Sequence, residues 1–130
     1  MKVLALDFGS ARTGVAVSDP TGTLARPLGV VERAGTDSGL DRLVELVRSE
    51  AAERVIVGLP LTLTGSRGDQ VLETEEFVEA LRKRLDVPVE TFDERFTTDL
   101  AAQTPSPAPE DARAAAHLLS GYLEWSSGHR

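Results

Sequence analysis

The chain contains no cysteine, which excludes disulfides, thiolate zinc sites and a cysteine nucleophile. It has no apolar run approaching membrane-spanning length. Its opening is too short, and too soon interrupted by Asp7, to read as a signal peptide, so the expected location is the cytoplasm, with no membrane partner. Positive charge is scarce. Fourteen Lys and Arg against 21 Asp and Glu leave a net charge of −7, which argues against a protein that coats nucleic acid electrostatically. An enzyme whose few arginines line one cleft remains compatible with that balance. With 130 residues and no visible repeat or composition break, a single domain covering 1–130 is expected.

What is present alternates between strand-like and helical patterning. Val3-Leu4-Ala5-Leu6 and Val15-Ala16-Val17 read as strands joined by a short glycine-containing loop. Pro20-Thr21-Gly22-Thr23 signals a turn, and the segment through Leu28-Gly29-Val30-Val31 reads as a third strand. Connections this short imply an antiparallel meander. Residues 41–47 show helical spacing, with Leu40, Leu43, Val44 and Val47 on one face. Residues 54–60 suit a strand buried on both sides. A second amphipathic helix is expected over 70–85, with Val71, Val78, Leu81 and Leu85 inward, and a fifth strand over 87–92. Residues 98–103 read as a short helix, and Thr104-Pro105-Ser106-Pro107-Ala108-Pro109 as a loop. A last helix is expected over about 111–125, with Ala112, Ala115, Ala116, Leu119 and Leu123 inward. Strand–helix–strand units require right-handed crossovers and parallel pairing. The predicted fold class is therefore α/β: a mixed five-stranded sheet, a three-stranded antiparallel meander plus two parallel strands, flanked by helices.

Asp7 is the most informative residue, a carboxylate at the exit of an apolar strand. Buried charge is costly unless paired or coordinated, although an Asp here also reads as a cap on the following turn. Asp93 and Glu94 end the fifth strand, and Asp111 heads the last helix, where an acid complements the helix dipole. Strands one and five need only one strand between them, so these acids can gather on the edge where open α/β sheets place their crevices. Carboxylates gathered there repel one another unless cations neutralise them. Oxygen-only ligation suits Mg²⁺ or Mn²⁺ rather than zinc, and two such ions about 4 Å apart support phosphodiester cleavage. Gly9 and Gly14 read either as turn residues or as places where a phosphate meets main-chain N–H groups. The loop 62–69, with Thr64, Ser66 and Arg67 ahead of a helix, reads as an anion site or an ordinary polar connection. His117 and Tyr122 read first as packing residues, as does Trp125, and His129 as a frayed tail.

Taken together, Leu6-Asp7-Phe8-Gly9-Ser10-Ala11-Arg12-Thr13-Gly14-Val15-Ala16, Val57-Gly58-Leu59-Pro60-Leu61 with Gly65, Asp93-Glu94-Arg95-Phe96-Thr97-Thr98 and Asp111-Ala112-Arg113-Ala114-Ala115-Ala116 resemble the YqgF family, also called RuvX, of pre-16S rRNA nucleases in the RNase H-like superfamily. The resemblance spans nearly the whole chain. It implies the RNase H-like fold, divalent-metal nuclease activity and maturation of the 5′ end of 16S rRNA; related proteins have been linked to Holliday junctions. Carried over by position, Asp7, Glu94 and Asp111 match the family's acids, serving as catalytic residues and metal ligands, with Asp93 the alternative to Glu94. Arg12 and Arg95 match its motif arginines, whose bidentate fork suits a phosphate. Gly9, Arg12, Arg67 and Arg95 are thus the expected substrate contacts. The implied partners are an rRNA precursor or branched DNA, with ribosomal particles; a monomer or a homodimer fits, and a branched-DNA resolvase requires the dimer. One departure stands out: no Lys or Arg occurs from Thr97 to Pro109, where family members commonly carry a longer basic stretch. Two rival readings are an ATPase-like nucleotide-binding lobe, built on the Asp7-Phe8-Gly9-Ser10 turn, and a non-catalytic ribosome-assembly protein.

Overall fold

The computed structural model describes residues 1–60, 68–94 and 108–128. Its elements run β1 (Val3–Asp7), β2 (Arg12–Ser18), β3 (Ala25–Glu32), α1 (Asp37–Ser49), β4 (Arg54–Leu59), α2 (Asp69–Arg82), β5 (Val89–Asp93) and α3 (Glu110–Gly128). The strands form one sheet in the order β3-β2-β1-β4-β5. The pairs β1–β2 and β2–β3 are antiparallel, while β1–β4 and β4–β5 are parallel. This is the mixed sheet expected from the sequence, and it puts a single strand, β4, between β1 and β5.

Side-chain alternation along the strands divides the interior into two layers. Leu4, Leu6, Val55 and Val57 point into a core built with Leu40, Leu43 and Val47 of α1 and Phe77, Val78 and Leu81 of α2. Val3, Ala5, Ile56 and Phe92 point the other way, against Ala115, Leu118, Leu119, Tyr122 and Leu123 of α3. The alanines on both sides of this second layer let α3 lie close across β1, β2 and β3.

Element boundaries shift where tertiary contacts outweigh local pattern. Helix α1 starts at Asp37, ahead of the apolar spacing, because the Thr36 side chain accepts from Gly39 N at 3.2 Å and caps the first turn. Helix α2 starts at Asp69 and stops at Arg82, with Leu85 held just beyond it by a backbone bond to Leu81 O at 3.0 Å. Its buried face includes Phe77 and Thr74 beyond the expected stripe. Phe77 stacks on Phe8 with ring centroids 4.3 Å apart, which fastens the turn after Asp7 to α2. Strand β5 begins at Val89 rather than at 87, since Pro88 has no N–H to give a ladder. In α3, Leu118 and Tyr122 join the buried face, while Ala116 is only partly buried. At the far end of the sheet, Asp19 accepts from Thr23 N at 2.8 Å and Leu24 N at 2.9 Å, closing the β2–β3 turn. These bonds hold its carboxyl well below the usual carboxylate range. The short helix expected over 98–103 and most of the proline-rich loop lie outside the described residues.

Candidate active site

The C-terminal ends of β1, β4 and β5 share one edge of the sheet, joined there by the first turn of α3. Asp7 is the last residue of β1 and follows Val3 and Ala5 on the α3 side by alternation. Glu94 comes one residue after β5 and, two positions from Phe92, faces the same side. The two carboxyl groups share a side-chain hydrogen bond, which favours the proton on Glu94. Both are held above the ordinary carboxylate range. For Asp7, burial is the main cause, and repulsion from Asp111 adds to it. For Glu94, burial, the charge on Asp7, the shared hydrogen bond and the charge on Asp93 push it up to about 7. The two carboxylates cannot both ionise at low cost.

Asp111 reaches this edge by a backbone contact. Gly14 pairs with Asp7 across the β1–β2 ladder. A Cβ on Gly14 would lie 1.8 Å from Asp111 O and 3.1 Å from Ala112 N. Only the absence of a side chain there lets α3 begin against β2. Gly14 lies inside β2 rather than in a turn, and it seats α3. Asp111 occupies the first turn of α3, favourable for an acid at a helix N-terminus. Its Oδ2 lies 3.4 Å from Arg12 Nε. Asp7 and Glu94 are thus in contact, whereas Asp111 sits at the rim, close enough to raise Asp7 but turned toward Arg12. As the side chains stand, no group of three acidic or histidine residues among the described residues is drawn tightly enough to hold a metal ion.

The other candidates divide. Gly9 lies in the turn after Asp7, where Thr13 Oγ1 bonds its N–H and its carbonyl at 3.4 Å. Arg12 opens β2 and is exposed apart from Asp111. Asp93 ends β5 with its side chain alternating to the opposite face from Glu94, which separates the two neighbouring acids. Arg67 and Arg95 lie outside the described residues. Sequence reasoning passed over Arg33, which follows β3 at the same edge. It is exposed, holds φ of 47° and donates its N–H to Ala11 O at 3.0 Å, beside Arg12. A left-handed arginine has no compositional signature, so only coordinates expose it.

A five-stranded sheet of this order, with paired acids on its parallel edge, is the RNase H-like fold. Among solved structures, Thermus thermophilus RuvC in complex with Holliday junction substrate matches with a TM-score of 0.70 at 19% identity, covering 98% of this chain and 96% of that one. The Fowlpox virus resolvase bound to Holliday junction DNA matches at 0.53 and 12% identity. In sequence, a Syntrophomonas wolfei protein described as "Putative pre-16S rRNA nuclease" is 35% identical over 136 residues, covering 98% of this chain and 96% of the relative. A Desulforudis audaxviator protein of the same description is 44% identical over 98 residues, covering 75% and 70%. The family model described as "RuvX: Holliday junction resolvase" matches residues 1–125. The chain belongs to the RuvX family.

Proposed function

We propose that this protein is a divalent-metal-dependent endonuclease that cleaves phosphodiester bonds in structured nucleic acid, acting on the 5′ end of the 16S rRNA precursor. The observation that carries this reading is the Asp7–Glu94 pair, two hydrogen-bonded carboxyl groups on one sheet edge with a third acid at the rim. Such a cluster disfavours its own charged state, and a hard cation relieves that cost. The donors are all oxygen, which fits Mg²⁺ or Mn²⁺, and Asp7, Glu94 and Asp111 are the residues that would hold it. A bound ion supplies the charge that activates a water and steadies the leaving oxygen. With an ion bound, Asp7 and Glu94, carried by strands on either side of β4, would both serve as carboxylate ligands. Arg12, with most of its guanidinium exposed, holds the phosphate beside the acids; Arg95, Arg67 and the Gly9 turn complete the substrate contacts.

The setting that follows is the cytoplasm, with pre-ribosomal particles as the partner and residues 1–130 acting as one domain. Cleavage of a 16S precursor fragment in Mg²⁺ or Mn²⁺ tests the reading, with Asp7→Asn as the comparison. Activity should vanish in the variant and in excess EDTA; undiminished cleavage by Asp7→Asn would remove this residue from the mechanism. The family description favours a second reading, a branched-DNA resolvase. Parallel assays on a four-way junction separate the two, and junction resolution requires a dimer with two active sites.

A further inference from the structure

We infer that Gly58 is a positioning residue for the acid pair: the side chain it lacks is the space through which Glu94 reaches Asp7. This rests on the proposed acid site and adds a residue to it. Strand β4 separates β1 from β5, so any contact between Asp7 and Glu94 passes over β4. Gly58 is buried near the end of that strand, and two positions after Ile56 it faces the α3 side, where both acids lie. A Cβ built on it would stand 2.6 Å from Glu94 Oε1, 3.0 Å from Glu94 Cγ and 2.9 Å from Leu118 Cδ2. Contacts that short force something to move. Leu118 is only 3% exposed and locked in the α3 layer, whereas Glu94 is half-buried and at the edge. Glu94 is therefore the group that yields, and it yields away from Asp7. Everything else about β4 argues for a larger residue here. Its neighbours are Val55, Ile56 and Val57, and glycine weakens a strand interior. A strand that accepts glycine at this one buried point gains a passage for a carboxylate.

Calorimetric titration of the metal-free protein with Mn²⁺ alone, alongside urea unfolding, tests the inference. Gly58→Ala should weaken Mn²⁺ binding by about tenfold or more, the scale at which residues supporting metal ligands act. Gly29→Ala, at a strand glycine with nothing within 4 Å of its would-be Cβ, should bind as the wild type does. The double variant Gly58→Ala/Leu118→Ala removes the clash with α3 at the cost of a core cavity, which the urea unfolding registers, yet should keep the affinity loss, because Glu94 is still displaced. Combining Gly58→Ala with Glu94→Asp, which shortens the acid, should restore part of the binding. Wild-type affinity in Gly58→Ala, or full recovery on adding Leu118→Ala, would overturn the inference while leaving the acid site intact. A wild-type protein that takes up no Mn²⁺ would overturn the acid site and the role of Gly58 together.

Discussion

Glu94 should make the metal-free protein less stable as the pH rises through neutrality. Its carboxyl is raised from 4.5 to about 7 in the fold, so the native state holds a proton that the unfolded chain releases. The stabilisation from that proton is complete below about pH 4.5 and is lost as the pH passes about 7. At roughly 1.4 kcal/mol per pH unit, the interval sets a ceiling of about 3 kcal/mol. Glu94 is only half-buried, so solvent screening reduces the expected loss between pH 5 and pH 8 to about 1–2 kcal/mol. Asp7 is raised as well and acts in the same direction. Asp19, held low, adds nothing to this window, because it is ionised throughout in both states. Glu94→Gln keeps an N–H to donate to Asp7 but cannot ionise, so its stability should be flatter by that amount. At pH 8 it should exceed the wild type; at pH 5 the two should nearly coincide. Urea unfolding in EDTA at half-unit pH steps measures this. A wild-type stability that stays level or climbs from pH 5 to 8, or an equal slope in Glu94→Gln, would refute the proton-sharing pair.

Three further substitutions have defined outcomes. Gly14→Ala should cost about 2–3 kcal/mol in urea unfolding, at the upper end for overpacking, because its Cβ meets the backbone of Asp111 rather than a movable side chain. Arg33→Gly should raise stability by about 0.5–1 kcal/mol in thermal or urea unfolding, since glycine takes φ of 47° without the left-handed penalty, less what its freer unfolded chain takes back. Arg12→Ala should leave stability within about 0.5 kcal/mol, the pair with Asp111 being solvent-exposed. In filter binding across a salt series, the same variant should weaken nucleic-acid affinity and lower the slope by about one ion.

The sheet was legible from the sequence because its signals are local and redundant. Short continuous apolar runs set the strands, turn residues at 20–23 demanded a hairpin, and strand–helix–strand spacing forced the parallel half. Asp7, Glu94 and Asp111 could be placed on one edge for the same reason: each stands at an element end. What stayed hidden depends on approach between distant segments. The first turn of α1 carries Ser38 and Gly39, poor helix formers, and is rescued by the Thr36 cap. Phe77 was missed as a core residue although it is apolar, because its partner Phe8 sits just outside a strand. Gly14 and Gly58 look like turn or strand-end glycines in one dimension. Their purpose, to admit a helix backbone and a carboxylate, exists only after α3 and β5 have docked.

The same cluster explains why neutralisation of this edge is divided among removable partners. Asp7 feels both Glu94 and Asp111, and in the free protein the raised Glu94 carboxyl and one guanidinium on Asp111 offset the charge. Neither is a permanent counter-charge. Under the proposed function a cation would take the place of the proton, and Arg12, exposed on its outer side, is the arginine that a phosphate would draw off. Were Arg12 to turn to a phosphate, Asp111 would lose its partner and the edge would carry one more uncompensated charge, which would strengthen its hold on a cation. By linkage, a cation that engages Asp111 frees Arg12 for phosphate to the same extent. Under the proposed function, metal and substrate therefore favour each other through a single ion pair, and the acids that weaken the empty fold are the ones that make it responsive to both.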